Sequence, residues 1–390
     1  MQEAIENNLS LLAERYNLSI AEAKMITARL RPNPVVSMGG DHLDWLGTGF
    51  NEQNGAGPPE YFIRTDFLIE RGGKRRSRIE VAEQAREVAR WQLLNATRTI
   101  VLEVQMAFVD VLLAKSNLAL AEENLRLFNQ IVQVNAARVN AGDLAPVELT
   151  RTRLAALQLQ NAVMQAQSRL RLARQRLQGL MGRTVLSETF DVIGELRRDL
   201  VPVSLEVIEQ QALNLRPDLQ ALKREQARAL AEVRLQLAYG KADYSFGIEV
   251  RRQQGIAGKG NSIGVFFSLP LPIFNRNQGE IERARQELAQ IEARLRALEA
   301  DIRNEVRSAF QQCETARSLL TTIEADMLQQ ARQVLRTMEY SYRRGEASFV
   351  ELLDAQRAFN DTMQSYNEAR AEYARCLYLI DSISGKGLNQ

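Results

Sequence analysis

The residues that could do chemistry are few and scattered. His42 is the only histidine and stands in a Gly- and Asp-rich stretch, GGDHLDWLG. With only Asp41 and Asp44 beside it, the ligand set for a metal is too small, so a solvent-exposed strand end is the preferred interpretation. Cys313 and Cys376 are too few for a zinc site or a disulfide scaffold. No nucleophile elbow, phosphate loop or H-E-x-x-H pattern is present. The sequence therefore predicts neither an enzyme nor a bound metal or cofactor.

Composition narrows the class of protein further. The 390 residues include 50 Lys+Arg and 48 Asp+Glu, so the chain lacks the basic excess that a nucleic-acid partner usually requires. No window of about 18 uninterrupted apolar residues is present, so no transmembrane helix is expected. The N-terminus has no basic-then-apolar signal pattern, so an exported protein would need a signal that lies outside this chain.

Glycine and proline are spaced in a way that predicts very long helices. Between Gly73 and Gly142 there are 68 residues without either, and between Gly279 and Gly345 there are 65. Average globular helices have about 11–12 residues, so these two are exceptional. The two halves also align at an offset of about 202 residues, with Gly142 falling on Gly345. This pattern indicates one internal duplication.

The duplication predicts the order of the elements. The first repeat, 1–182, is expected to contain a helix at 1–31, strands at 34–45 and 61–71, a long helix at 74–140, a turn at 141–146 and a helix at 147–180. Residues 183–203 are expected to link the halves. The second repeat, 204–384, is expected to contain a helix at 204–240, strands at 243–252 and 262–274, a long helix at 279–344, a turn at 345–347 and a helix at 348–383, followed by a tail at 385–390.

The strand segments alternate between apolar and polar residues. Every odd position from Ile263 to Ile273 is apolar, and the length of about 10–12 residues is typical of transmembrane barrel strands. A soluble sheet packed on a core is the alternative for any single hairpin. An open four-stranded sheet cannot lie in lipid, and four strands cannot close a barrel with a useful bore. If the strands span a membrane, several chains must therefore pool them.

Four stretches resemble the TolC-like outer-membrane efflux channel family, most closely its heavy-metal-efflux, CzcC/CusC-like branch. They are SLPLPIFNRNQGEIERAR at 268–285, YSYRRGEASFVELLDAQRAF at 340–359, RPDLQALKREQARA at 216–229 and ARLRPNP at 28–34. The resemblance implies a mainly α protein with a transmembrane β part. It implies a homotrimer in the outer membrane of a Gram-negative bacterium, with a 12-stranded β-barrel continued by an α-helical barrel in the periplasm. Residues 183–203 would then lie in the equatorial region.

The resemblance also implies partners at the far tip of the helices. A periplasmic adaptor, or membrane fusion protein, and an inner-membrane RND pump would meet the channel there, while outer-membrane lipid would surround the strands. The turn residues expected to contact the adaptor are Gly142, Asp143 and Leu144 in the first repeat and Gly345, Glu346, Ala347 and Ser348 in the second.

A gate is implied at the second turn. Aligned on the family, Glu351 and Asp354 take the positions of an acidic ring, and because they are three residues apart they share one helix face. Threefold symmetry would place six carboxylates around a narrow opening, where they would attract cations. The alternative is an ordinary solvated helix face.

A latch is implied beside this ring. Tyr342 matches a tyrosine that pairs in the family with an acidic residue of the first hairpin, here Glu148. An arginine expected two residues after the glycine is replaced by Ala347, and Arg343 or Arg344 is a candidate substitute.

The hairpin implied at Gly345 would bring the two cysteines close together. Cys313 lies 32 residues before Gly345 and Cys376 lies 31 after it, so a hairpin folded there would bring them to similar height. The periplasm permits disulfides, and we hypothesise that the two thiols are close and can be bonded. Two small buried residues are the alternative.

These observations predict a passive channel component of a tripartite efflux system. The resembling branch suggests heavy-metal cations as the exported substrate, with organic toxic compounds as the alternative. Two other classes of protein stay open. A periplasmic adaptor would lack two duplicated strand pairs, and a soluble coiled-coil scaffold would need no detergent.

Overall fold

The computed structural model describes residues 1–43, 45–47, 59–199, 204–255 and 258–386, and these are mostly helical. The helices are α1 (Gln2–Asn7), α2 (Leu9–Arg29), α3 (Lys74–Ala141), α4 (Pro146–Leu180), α5 (Leu205–Leu215), α6 (Pro217–Tyr239), α7 (Gln278–Thr322), a π-helical turn (Ile323–Met327), α8 (Leu328–Arg344) and α9 (Phe349–Ser384). The strands are β1 (Val35–Asp41), β2 (Glu60–Ile69), β3 (Tyr244–Gly255) and β4 (Gly258–Ser268).

The chain forms two compact units that do not coincide with the sequence repeats. The first unit comprises Met1–Arg15, Gln92–Leu219 and Leu298–Gln390. The second comprises Tyr16–Trp91 and Gln220–Ala297. Each unit draws segments from both halves of the sequence, so neither unit corresponds to a single repeat.

Two predicted helices are each divided in two. The predicted helix 1–31 breaks at Asn8, whose backbone is extended and whose side chain accepts hydrogen bonds from the backbone N–H groups of Ser10 and Leu11, at 3.0 and 3.2 Å. The predicted helix 204–240 breaks at Arg216, which is also extended. Pro217 follows it, and a residue before proline is driven out of the helical region. The Arg-Pro pair could have predicted this second break from the sequence.

The strand boundaries also differ from those predicted. The strand placed at 262–274 runs instead over Gly258–Ser268, because Pro270 and Pro272 have no N–H to donate to a ladder. The strand placed at 34–45 covers Val35–Asp41 and so ends four residues earlier than predicted; residue 44 of that range lies outside the described residues. The strands predicted at 61–71 and 243–252 are observed with ends that differ by one to three residues from those predicted.

The helix predicted at 279–344 is not continuous. The π-helical turn separates it into α7 and α8.

The four strands form one antiparallel sheet in the order β1-β2-β3-β4. The register places apolar residues in rows that cross the strands, as in Ile63 opposite Val250 and Val250 opposite Ile263. All three side chains are more than half exposed, with Ile263 at 77%. The alternate rows are polar and ion-paired, as in the contact of Arg64 with Asp66 at 2.8 Å. One face of the sheet is therefore apolar and open, and the other is charged.

The first unit has an apolar core with polar contacts between α3 and α9. Val104, Ala107 and Leu177 are among the residues buried in one of its hydrophobic clusters. Nearer the turns, Gln356 Nε2 donates to Asn124 Oδ1 at 3.0 Å, and both side chains are buried. Amide pairs of this kind fix how two long helices lie against each other, since a slip of one turn would leave buried polar atoms unpaired.

Residues 183–199 form neither helix nor strand, and side chains of the first unit hold them. Lys115 and Arg174 each contact the Asp191 carboxylate at 2.8 Å. The hydrogen bond from Lys115, with that from Arg174, lowers the pKa of Asp191 to about 2. The last residues of the expected linker, 200–203, lie outside the described part of the chain.

Among the described helices, none is both long and apolar enough to cross a membrane.

Candidate functional site at the helical turns

Both turns between long helices lie in the first unit, and glycine forms each of them. At the first, α3 ends at Ala141 and Gly142 takes a positive φ of 85°. The N–H of Asp143 then donates to the Arg138 carbonyl at 2.8 Å, which satisfies one carbonyl of the helix end. The next helix begins with Pro146, whose fixed φ suits a first helical position. Leu144, the third predicted contact residue here, lies between these two ends.

The second turn has a similar backbone conformation, and the helix that follows it has a better capped N-terminus. Gly345 has a φ of 78°, and the Glu346 N–H donates to the Ser341 carbonyl at 2.9 Å. Ser348 and Glu351 then form a capping box. The Ser348 N–H donates to the Glu351 carboxylate at 2.7 Å, and the Glu351 N–H donates to Ser348 Oγ at 3.3 Å. These hydrogen bonds, led by the one from the Ser348 backbone, lower the pKa of Glu351.

The predicted ring residues differ in their contacts. The Glu351 carboxylate caps its own helix, whereas Asp354 is 67% exposed and has Arg357 no nearer than 3.8 Å. Such an exposed pair is weak, so Asp354 retains most of its negative field. Glu148 contacts Arg151 at 2.9 Å. Glu351 is exposed as well, so the two carboxylates differ in their contacts: Glu351 forms the hydrogen bonds of a helix cap, and Asp354 forms only the weak ion pair with Arg357.

Tyr342 is buried, and its hydroxyl contacts a different residue from the predicted Glu148. Asn135 Nδ2, on α3, donates to Tyr342 Oη at 2.7 Å and to Thr152 Oγ1 at 2.9 Å. Thr152 Oγ1 donates in turn to the Glu148 carbonyl at 2.7 Å. Burial raises the pKa of Tyr342, and the hydrogen bond from Asn135 opposes that rise. The network joins α3, α4 and α8, and so ties the two hairpins together.

Sequence reasoning missed Asn135 and Thr152, although one signal for Asn135 was present. Asn135 follows Phe128 and Ile131 by seven and four residues, so it falls on the apolar stripe of α3. A polar residue on such a stripe indicates a buried hydrogen-bonded partner. In the described part of the chain, Asn135 Oδ1 is buried without a hydrogen-bond partner.

Aromatic packing surrounds this network. The ring of Phe349 lies 6.5 Å from that of Phe128, edge to face, and 6.2 Å from that of Tyr342. Leu352 is buried in the same cluster, and Ala347 packs against it. Ala347 therefore has a packing role at the position where the family resemblance led us to expect an arginine.

The arginines near the second turn have three different environments. Arg344 lies over the Tyr340 ring at 4.4 Å. Arg343 lines a small cavity of about 40 Å³ with Tyr342 and Leu352. Arg138, which the sequence did not single out, extends from α3 and donates from Nη1 to the Tyr342 carbonyl at 3.5 Å. Its place in the last turn of α3, before Gly142, was the available signal, because basic residues there favour contact with carbonyl groups.

Cys313 on α7 and Cys376 on α9 form a disulfide, with their Cα atoms 5.3 Å apart. Both residues are buried. The bond encloses α8, the second turn and most of α9. It therefore links the two arms of the second hairpin covalently at a fixed distance from the turn.

His42 is exposed and lies one residue after β1. The Asp41 carboxylate accepts from the His42 backbone N–H at 2.9 Å, and Asp44 lies outside the described residues. Over the described ranges, no three His, Cys, Asp or Glu side chains are grouped to hold a metal ion.

A family model described as outer membrane efflux protein matches residues 1–183 and 208–385. The chain therefore belongs to the outer membrane efflux protein family, and it is an outer-membrane efflux channel protein.

Its relatives include heavy-metal resistance proteins. The chain is 26% identical over 385 residues to the cobalt-zinc-cadmium resistance protein CzcC of Cupriavidus metallidurans, covering 98% of this chain and 88% of the relative. It is 26% identical over 312 residues to the nickel-cobalt-cadmium resistance protein NccC of Alcaligenes xylosoxydans xylosoxydans, covering 80% and 69%. The CmeC outer membrane channel of Campylobacter jejuni has the same fold, with a TM-score of 0.80 at 16% identity over 99% of this chain and 84% of that one.

Proposed function

We propose that the chain is one protomer of a homotrimeric, passive exit duct in a Gram-negative outer membrane. In this proposal it forms a tripartite efflux system with a periplasmic adaptor and an inner-membrane RND pump. The pump supplies energy and most of the substrate choice. The channel contributes a path and a gate.

The observation that carries the proposal is the sheet. Its apolar face is open, and burying such a face in lipid is favourable by about 25 cal/mol per Å². Its outer strands, β1 and β4, each have one neighbour in the described part of the chain. An open edge cannot remain unpaired in lipid, so other copies must pair with β1 and β4. Three copies of four strands would close one twelve-stranded barrel.

Gating is proposed to occur at the second turn. The Asn135–Tyr342 hydrogen bond holds the first hairpin to the second, and opening would break or rearrange it. Asp354 of three copies would surround the opening, and Glu351 would cap the helix that carries it. The turn residues Gly142–Leu144 and Gly345–Ser348 are the proposed contacts of the adaptor.

Heavy-metal cations are the proposed cargo. Two relatives are a cobalt-zinc-cadmium and a nickel-cobalt-cadmium resistance protein, and exposed carboxylates around a narrow opening attract cations. A passive duct needs weak, transient attraction, since tight binding would slow release. Exposed Asp354 suits this role better than a closed set of metal ligands.

The test begins with the assembly. Protein extracted from the outer-membrane fraction in detergent should have the mass of three chains and should conduct ions in a planar bilayer. Asp354→Asn should reduce the preference for cations over anions by about two-fold or more, because the ring loses its charge. Asp326→Asn is the matched control, since Asp326 is also exposed but lies in the π-helical turn.

Other results would overturn the proposal. A monomer that stays soluble without detergent would favour the scaffold or the adaptor. A trimer that conducts cations and anions equally, before and after Asp354→Asn, would remove the cation gate. If the channel released organic compounds faster than metal salts, organic compounds would be the cargo instead of metal cations.

A further inference from the structure

Positive charge is concentrated where the strands of the second unit meet its helices. The segments 29–31, 69–78, 239–243 and 274–277 contain nine basic and two acidic residues, a net charge of +7. The whole chain has a net charge of only +2, so the remaining residues together are negative. Such an asymmetry creates a strong local positive potential.

The two acidic residues are already paired. Asp243 contacts Lys74 Nζ at 2.7 Å, and Glu70 Oε2 accepts from Arg78 Nη2 at 3.0 Å. Seven exposed basic residues remain, and over the described ranges none of them has a carboxylate within ion-pair distance. We name them the basic cluster: Arg29, Arg31, Arg71, Arg75, Arg76, Lys241 and Arg276.

The basic cluster is contiguous although its members come from four segments. Arg75 Nε donates to the Arg29 carbonyl at 2.8 Å. Gly72 is so close to Lys241 that a Cβ at Gly72 would stand 2.7 Å from Lys241 Cδ. A Cβ at Gly240 would likewise stand 2.7 Å from the Arg276 carbonyl oxygen. The four segments therefore lie side by side, and the positive charges that they carry repel one another unless an anion is bound.

This surface borders the apolar face of the sheet. The Arg71 guanidinium lies 5.7 Å from the Tyr244 ring, and that ring lies 5.5 Å from Phe267 on the exposed apolar face. On the other side, Ile273 and Phe274 are exposed just before Arg276, with Phe274 at 90%. An anion bound here would have cationic groups on one side and open apolar surface on the other.

We propose that the basic cluster binds the phosphate headgroups of anionic glycerophospholipids in the leaflet nearest the helices. The inference rests on the proposed membrane-embedded duct and adds a lipid class to it. Arginine is well suited to phosphate because its guanidinium can donate two parallel hydrogen bonds. The acyl chains lie along the apolar face beyond Arg71. A free phosphate would satisfy only the charge, so the adjoining apolar surface favours a lipid.

The test measures lipid-dependent thermal stability of the purified, detergent-solubilised full chain. Phosphatidylglycerol, phosphatidylcholine and inorganic phosphate are titrated separately, and the shift in Tm gives a half-saturating concentration. Phosphatidylglycerol alone is expected to raise the Tm. In the variant Arg71→Gln/Arg75→Gln/Arg76→Gln/Arg276→Gln, the half-saturating concentration of phosphatidylglycerol is expected to rise about tenfold or more. Each basic side chain near an anionic lipid surface contributes to the free energy of binding.

A matched control variant loses the same number of positive charges at positions outside the basic cluster. Arg169→Gln/Arg171→Gln/Arg294→Gln/Arg296→Gln removes four exposed arginines outside the basic cluster and should bind phosphatidylglycerol like the unmodified protein. The smaller variant Arg71→Gln/Arg276→Gln provides the test if the fourfold variant does not fold, with an expected loss of about threefold or more.

Three results would overturn the inference. They are equal stabilisation by phosphatidylcholine, equal stabilisation by inorganic phosphate, and unchanged affinity in the cluster variants. If one of these results is obtained while the cluster variants still form conducting trimers, the lipid-binding inference is wrong and the proposed duct is not affected. If the unmodified chain is monomeric and does not conduct, the proposed duct itself fails.

Discussion

The two helical turns have the same backbone but different charges. At an offset of 203 residues, Ala145 corresponds to Ser348, Glu148 to Glu351 and Arg151 to Asp354. In the first turn Glu148 and Arg151 neutralise each other at 2.9 Å. In the second turn Glu351 caps the helix and leaves Asp354 exposed. At these aligned positions the first turn therefore has a neutral pair, and the second has two carboxylates.

The hairpins behind the turns differ as well. The second has the Cys313–Cys376 disulfide. The first has at similar height a contact of 3.3 Å between Asp110 and Arg176, and that arginine is 63% exposed. A covalent link and an exposed ion pair differ greatly in strength. The second hairpin is therefore cross-linked well behind its turn, and a movement of the proposed gate would be confined to the part beyond the disulfide.

The largest expected effect tests this cross-link. Replacing Cys313 and Cys376 together by serine should lower the free energy of unfolding by about 2–4 kcal/mol, because the unfolded chain loses a cross-link. Denaturant unfolding with and without reductant measures it. Reductant should bring the unmodified protein down to the level of the double variant and leave the variant unchanged. Arg176→Gln in the first hairpin is the comparison and should cost less than about 1 kcal/mol.

The contact between the hairpins comes next. Asn135→Ala should lower the free energy of unfolding by about 1–3 kcal/mol, since it leaves the buried Tyr342 hydroxyl without its donor. It should also raise the open probability in single-channel recordings, because the hairpins separate more easily. Asn129→Ala, on an exposed position of the same helix, is the control. Unchanged gating in a folded Asn135→Ala channel would show that the latch lies elsewhere.

Exchanging the helix caps tests the comparison of the turns directly. Ser348→Ala should cost about 1 kcal/mol, because the α9 start loses its capping hydroxyl. Ala145→Ser should add up to about 0.5–1 kcal/mol, since residue 145 already has the extended backbone of a cap and Glu148 stands three residues later. Thermal unfolding of both variants measures the changes. A gain from Ala145→Ser that persists in a Glu148→Ala background would rule out a capping box as its cause.

The smallest effect depends on pH. The pKa of Glu351 is lowered in the folded protein from an ordinary value of 4.5, so its ionised form contributes stability above that value. This contribution is lost as the pH falls through the lowered pKa. The stability difference between the unmodified protein and Glu351→Gln should therefore be greatest near neutral pH and vanish well below pH 4.5. A difference that stays constant in denaturant unfolding from pH 7 into this acidic range would contradict the capping role.

Local chemistry explains how much of the site could be predicted. Runs free of Gly and Pro specify long helices, and Gly142 and Gly345 mark the turns because a left-handed residue suits glycine best. The alternation in the strands likewise identified an apolar and a charged face. These are properties of neighbouring residues, so the sequence by itself determined them.

Tertiary structure alone decided which distant groups meet. Asn135 and Tyr342 are 207 residues apart, and their contact depends on how α3 and α8 pack, which no local pattern encodes. The contact of Arg138 with the Tyr342 carbonyl likewise depends on how these two helices pack. The carboxylates of the second turn belong to the local part: their spacing places Glu351 and Asp354 on one helix face, and Ser348 three residues before Glu351 is the signature of a capping box. The contact of Asn135 with Tyr342 has no such signature, because it forms only when distant helices pack.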